Sequence, residues 1–333
     1  MPGSLLDRSP QLDRGRLVRE LVPPARFDAE RFSTYRPDPD EPSQAAAVER
    51  LEAYAAGLAE SAGRGWFGRR KKVDAGRGIY LDGGFGVGKT HLLASLWHEA
   101  TGEKAFGTFV EYTNLVGALG FQPTVEALRG HRLVCIDEFE LDDPGDTVLM
   151  ATLLARLAEA GVSLAATSNT LPDALGEGRF AAEDFLREIQ ALSARFDVVT
   201  VGGPDYRHRE MVDSPEPLSE AEVASQVDRD GGLLDHFVDV TRHLATVHPS
   251  RYRAMLDGVT AVGWTHVRPV TDQAVALRLV VLADRLYDAD IPVYANGQPL
   301  GEVFAPEMLT GGYRKKYYRA ISRLTALARA DLR

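Results

Sequence analysis

The sequence predicts an α/β fold, a parallel sheet flanked by helices, with a smaller mixed unit after it. Two observations carry that prediction. From Gly76 onward, short apolar runs alternate with segments of helical period, the pattern of a parallel sheet covered by helices. The first of those runs leads straight into Gly83-Gly84-Phe85-Gly86-Val87-Gly88-Lys89-Thr90, a glycine-rich turn that opens a helix. Length adds a third: the chain has 333 residues, enough for two packed units, because a single core stops growing before ~300 residues.

The apolar runs place strands at 78–82, 106–112, 132–137, 162–167 and 198–202. Helices fit between them at 89–100, briefly at 114–119, at 146–160 and at 181–195. Ahead of this core, residues 1–75 read as an N-terminal arm and a helix. The arm is punctuated by Pro23-Pro24 and Arg36-Pro37-Asp38-Pro39-Asp40, and the helix by Ala47, Leu51, Tyr54 and Leu58 at helical spacing. Trp66-Phe67-Gly68-Arg69-Arg70-Lys71-Lys72 reads as a solvated basic loop with an anchored aromatic, contact with nucleic acid or a partner being the alternative. The turn-rich Ser214-Pro215-Glu216-Pro217 closes the core, giving a 76–204 domain and a 205–333 lid-like domain. In the latter, helices are expected at 234–244, at 274–287 and from Tyr317, with a short strand at 291–294.

Composition narrows the function. With 44% hydrophobic and 26% charged residues the chain reads as globular, and its formal net charge of −10 argues against a general nucleic-acid coat. Cys135 is the single cysteine, so no intrachain disulfide can form, and it reads as a small buried hydrophobe. No stretch approaches the ~18 apolar residues that span a bilayer. Asp7, Pro10 and Asp13 break the first residues out of any secretory-signal pattern. A cytoplasmic location is expected.

Gly83 to Thr90 matches G-x-x-x-x-G-K-[ST] in its proper setting, strand before and helix after. The glycines let backbone N–H groups turn around a β-phosphate, and the helix N-terminus adds its dipole at the same place. Lys89 is expected to reach the β- and γ-phosphate oxygens, and the Thr90 hydroxyl to ligate Mg²⁺. The following His91 is included among the loop residues of this site. Leu133-Val134-Cys135-Ile136-Asp137-Glu138 is an apolar strand ending in two carboxylates, a Walker B pattern. Asp137 is delivered to the Mg²⁺ shell and Glu138 to the water that attacks the γ-phosphate. Taken alone, such an acidic pair could be merely solvated; with the loop it reads as functional. No Asn-Lys-x-Asp guanine-reading segment is present. ATP and Mg²⁺ are therefore the expected cofactors, with hydrolysis as the reaction. Thr167-Ser168-Asn169 ends the fourth strand, where Asn169 can orient water or touch the γ-phosphate, or else cap the loop. A phosphate loop, an Asp-Glu pair and a strand-end Asn in that order mark a P-loop NTPase of AAA+ type.

Beyond these motifs the chain resembles the ZapE / AFG-type AAA+ ATPase family. The resemblance rests on Arg77-Gly78-Ile79-Tyr80-Leu81, on Ile136-Asp137-Glu138-Phe139-Glu140-Leu141-Asp142-Asp143, on Ala166-Thr167-Ser168-Asn169 with Pro172 and Leu175, and on Asp205-Tyr206-Arg207. It extends through Arg278 to Asp288 and Arg319-Ala320-Ile321-Ser322-Arg323-Leu324. It implies ATP bound between subunits of a hexamer-like homo-oligomeric ring, a protein client in cell division, the tubulin-like FtsZ among them, and an arginine finger reaching a neighbour's γ-phosphate. Where the family carries its arginines this chain has Ala182 and Asp184, which makes Arg179 the finger candidate and Arg187 the second. In AAA+ proteins a second arginine from the C-terminal unit of the same subunit closes on the phosphate, and Arg278 and Arg323 are the candidates by position. Tyr313-Arg314-Lys315-Lys316-Tyr317-Tyr318-Arg319 reads as helix-end charge or as a contact for an acidic partner. Two other functions remain open on the sequence: an ATP-switched assembly or adaptor protein, and a nucleic-acid remodeller of helicase-loader type.

Overall fold

The computed structural model describes residues 2–11, 13–62, 78–84, 86–139, 144–170, 193–203 and 215–328. It divides into two compact units, one of residues 13–208 and one that combines residues 1–12 with residues 209–333. The expected 1–75 arm is therefore split: its first residues belong with the C-terminal unit, the rest with the sheet that carries the phosphate loop.

In the first unit, β1 (Gly78–Asp82), β2 (Lys104–Thr108), β3 (Leu133–Asp137), β4 (Ser163–Ser168) and β5 (Phe196–Thr200) form one parallel sheet in the order β2-β3-β4-β1-β5. A parallel sheet is buried on both faces, so its strands read as continuous apolar runs with alternate residues serving opposite cores. Tyr80, Val134, Ile136 and Leu164 pack with helices Phe109–Leu119, Phe121–Leu128 and Pro144–Glu159. Ile79, Leu81, Leu133 and Cys135 face the other way, toward helices Pro42–Ala62 and Lys89–Glu99. Cys135 is fully buried, as expected of a packing residue.

The second strand is shorter than expected. It ends at Thr108, whose hydroxyl accepts from Glu111 N while the Glu111 carboxylate accepts from Thr108 N. This reciprocal cap starts a helix at Phe109, overriding the strand preference of Phe109, Val110 and Tyr112. The expected helix at 181–195 and both finger candidates lie outside the described residues, apart from the last few positions before β5.

The second unit is built on a three-stranded parallel sheet of β6 (Leu233–His236), β7 (Val262–Val267) and β8 (Val293–Gly297). Here the sequence reading missed β6, β7 and the helix Glu220–Asp230. That helix carries its own signal, Ser219 and Glu222 in a capping box, with Gly231 left-handed at its C-terminus. The expected 234–244 helix starts three residues later, at Phe237, because β6 precedes it. Helix Gln273–Asp288 lies where expected, and the final helix runs Arg314–Ala328.

Residues 3–10 complete this unit. Gly3 bridges Leu233 in parallel, Leu234 N donates to Gly3 O at 3.0 Å, and Leu5 is 1% exposed in the core. The Asp235 carboxylate accepts from Ser4 Oγ and, at 2.8 Å, from Leu5 N. Arg8 donates to the carbonyls of Met255 and Asp257. On the opposite helices Asp284 pairs with Arg319 at 3.1 Å and with Arg323, all three side chains being less than one fifth exposed. Among the described residues no helix is long and apolar enough to cross a membrane.

Candidate nucleotide-binding site

The strand order sets the site. β4 lies between β1 and β3, so the carboxyl ends of three strands carrying the phosphate loop, the acidic pair and the strand-end Asn open side by side. In open parallel sheets this is the edge at which ligands bind.

The loop leaves β1 at Gly83, where the backbone presses on the end of β5: a Cβ there would stand 2.2 Å from Val201 O. Gly86 and Gly88 take positive φ of 82° and 89°, open to glycine without strain. Helix Lys89–Glu99 begins with Gly88 at its N-cap and no side-chain cap, so its first N–H groups are not taken by a capping side chain. Lys89 is 8% exposed; its Nζ donates to Gly83 O at 2.8 Å, Gly84 O at 2.5 Å and Asn169 Oδ1 at 2.9 Å. The ammonium is thus held inside the loop by oxygen acceptors, the atom type that phosphate offers. Phe85 lies outside the described residues.

Thr90 Oγ1 lies 3.1 Å from each oxygen of Asp137, and Asp137 is 6% exposed at the end of β3. Its Oδ1 also accepts from Thr167 Oγ1 at 2.5 Å. The same Thr167 oxygen accepts from Glu138 N at 3.0 Å, and Phe139 N donates to Thr167 O at 2.7 Å. Thr167 therefore holds both acids. Sequence reasoning passed over it in favour of Asn169; the available signal was a hydroxyl in an otherwise apolar strand interior. Glu138 is partly exposed and has φ of 53°, a left-handed conformation costing a non-glycine residue about 1 kcal/mol. Such strain gathers at functional positions, and here it turns the Glu138 backbone away from the strand direction.

Two further groups respond to the site. Burial pushes the Asp82 carboxyl above its ordinary value, opposed by the nearby Lys89 ammonium and by Gly83 N–H. His91 directs its ring toward the N-terminal arm: Nε2 is 3.0 Å from Arg31 O and 3.1 Å from Thr34 Oγ1, and Nδ1 is 3.3 Å from the Glu30 carboxylate. Its side chain serves arm docking, so its place among the loop residues of the site is one of backbone position. The arginine candidates of the second unit are engaged within that unit. Arg278 donates to Leu244 O at 2.9 Å, at the end of helix Phe237–Thr246, and Arg323 joins Asp284 and lies over the Tyr287 ring. Arg179 and Arg187 lie outside the described residues.

The sequence matches the AFG1-like ATPase family over residues 12–229 and 214–333. The chain belongs to the AFG1-like ATPases. Among similar proteins, cell division protein ZapE of Escherichia coli K12 is 31% identical over 190 residues, 52% of this chain and 50% of ZapE. An uncharacterized protein of Schizosaccharomyces pombe is 29% identical over 149 residues, 39% of this chain and 33% of that protein. The chain thus spans about half the length, or less, of the curated relatives it matches. Among solved structures, DnaI superposes with a TM-score of 0.42 at 17% identity, covering 57% of this chain and 98% of DnaI. The DnaC helicase loader gives 0.37 at 14% identity, covering 53% and 99%. As an AFG1-like ATPase, the chain carries its phosphate loop after β1 and its Asp-Glu pair at the end of β3, with the end of β4 between them.

Proposed function

We propose that this AFG1-like protein binds ATP with Mg²⁺ at the β1–β3–β4 edge and hydrolyses it, working as a ring of identical copies on a protein client. One observation supports the chemistry above all: Lys89 meets Asn169 while Thr90 meets Asp137, so loop, acid pair and strand-end Asn converge although they lie far apart in sequence. On binding, the phosphate oxygens replace the carbonyls that Lys89 now contacts, and the uncapped helix N–H groups face the same charge. Thr90 and Asp137 supply the hard oxygen donors suited to Mg²⁺, which when bound neutralises charge on the β- and γ-phosphates. Glu138 takes a proton from water as that water attacks the γ-phosphorus. The bond to the ADP oxygen breaks, leaving ADP and inorganic phosphate. Asn169 orients the water or the γ-phosphate.

The ring, the finger and the client extend this reading. Arg179, with Arg187 second, is assigned to the γ-phosphate of the neighbouring copy. The likeness to a cell division protein points to a cytoplasmic division component such as FtsZ as client.

Phosphate release and nucleotide affinity measured together test the chemistry. Lys89→Ala should bind no ATP, whereas Glu138→Gln should bind it and fail to turn over. Wild-type turnover by purified Glu138→Gln protein rejects the assignment of the base. Retention of a division protein by the ATP-loaded Glu138→Gln trap supports the client; an empty trap counts against it.

A further inference from the structure

The phosphate loop contains a peptide whose carbonyl is bonded from outside the loop. The Val87–Gly88 peptide is oriented by one torsion of the buried Val87 and by φ of Gly88, which is positive at 89°, and at the second of these the glycine offers little steric resistance. An outside group fixes it. Tyr35, from the N-terminal arm of the same unit, donates its hydroxyl to Val87 O at 2.7 Å. Its ring lies directly against Gly88: a Cβ on that glycine would stand 2.6 Å from Tyr35 Cε2.

The direction of this contact matters. A trans peptide turns its carbonyl and the following N–H to opposite sides. With the Val87 carbonyl held on the arm side, the Gly88 N–H faces away from the arm. The arm itself is well anchored. His91 contacts Glu30, Arg31 and Thr34 and meets the Tyr35 ring edge-on, with centroids 5.3 Å apart. Further along, Gln44 donates to Gly202 O at 2.8 Å, and Ser43 Oγ accepts from Gly202 N at 2.8 Å. Gln44 also accepts from Asp38 N at 2.8 Å. Tyr35 thus lies between two fixed points, and a hydroxyl placed this way constrains the loop instead of following it.

We propose that Tyr35 is a positioning residue for the phosphate loop: by holding Val87 O, its hydroxyl presents the Gly88 N–H to a bound phosphate. The arm thereby becomes part of the phosphate site without touching the ligand. This rests on the nucleotide reading above.

Tyr35→Phe keeps the ring against Gly88 and His91 and removes only the hydroxyl. In the full-length protein, calorimetric Kd values for ADP and ATP should rise about fivefold, the range of one neutral hydrogen bond. Competition by inorganic pyrophosphate should weaken by the same factor, because the effect resides in phosphate contacts. KM for ATP should rise with kcat nearly constant, and the ligand-free protein should melt within about 4 °C of wild type. Wild-type affinity for all three ligands overturns the proposal. So does a loss of affinity accompanied by a parallel collapse of the ligand-free melting temperature, which assigns Tyr35 to packing alone. If wild type and Lys89→Ala proteins behave alike toward ATP, the nucleotide reading itself fails, independently of Tyr35.

Discussion

Thr167→Val replaces one oxygen by a methyl group at a nearly constant shape, and that oxygen has two tasks. It donates to Asp137 Oδ1 at 2.5 Å and accepts from Glu138 N at 3.0 Å. The first is a hydrogen bond to a buried carboxylate, the second a bond between neutral groups, so their typical net values are about 2 and about 1 kcal/mol. Asp137 keeps its contact with Thr90, whereas Glu138 N loses this acceptor beside a strained residue. A total loss of about 2–3 kcal/mol should lower the melting temperature of a unit of this size by roughly 4–12 °C. The larger effect is expected on turnover, since misplacing a reacting group by about 1 Å can cost about 100-fold in rate. Nucleotide affinity should change least, because the Lys89 cradle uses other atoms. Thermal unfolding, nucleotide titration and steady-state phosphate release on one preparation separate the three. Wild-type kcat in the valine protein would refute the claim that one hydroxyl sets both acids.

Two other outcomes follow from the packing and the charges. Gly83→Ala would place a methyl group 2.2 Å from the backbone oxygen of Val201, just past β5, so that segment must shift. A loss of about 1–3 kcal/mol in stability together with weaker ATP binding is expected, and unchanged melting would disprove the close approach. In the second unit, burial pushes the Asp284 carboxyl up, but the guanidiniums of Arg319, Arg323 and Arg285 outweigh it and hold the carboxyl below its ordinary value. A depressed carboxyl stabilises the fold above its unfolded value near pH ~4, and this contribution is lost as pH falls through the folded value. Asp284→Asn should lower melting by several degrees at neutral pH, and the gap to wild type should close on acidification. A gap that stays constant down to pH ~3 would show that the ion pairs contribute nothing.

The first unit was legible because its chemistry and its periodicity coincide in the sequence. Gly83 to Thr90 names the loop, and four apolar residues before Asp137-Glu138 name a strand buried on both faces. Asn169 followed from its position at a strand end, and the observed strand order places that end between the other two. Hidden were the groups whose role depends on partners distant in sequence. Thr167 marks itself by a hydroxyl in an apolar strand, but nothing local says that its partner is a carboxylate 30 positions away. Tyr35 sits in a proline-rich arm where no period exists to mark a contact with residue 87. In the second unit β6 was missed because Leu233–His236 is only four residues long and runs directly into a helix, so the helical period dominated. In the sequence Arg278 and Arg323 were equal candidates by position, with a structural role open to either; in the fold one closes a helix end and the other answers a carboxylate.

The docking of residues 3–10 on β6 imposes an order on synthesis. Leu5 and Asp235 are 230 positions apart, so at about 5–20 residues per second the opening segment waits on the order of 10–50 s for its binding partner to be made. The strands and loop of the nucleotide-binding sheet are all translated during that interval, before β6 exists. The first unit can therefore assemble on the ribosome first, while Leu5 waits for its place in the core. Completion of the other unit is deferred until β6 and the elements after it have been made, which makes it the later step of folding.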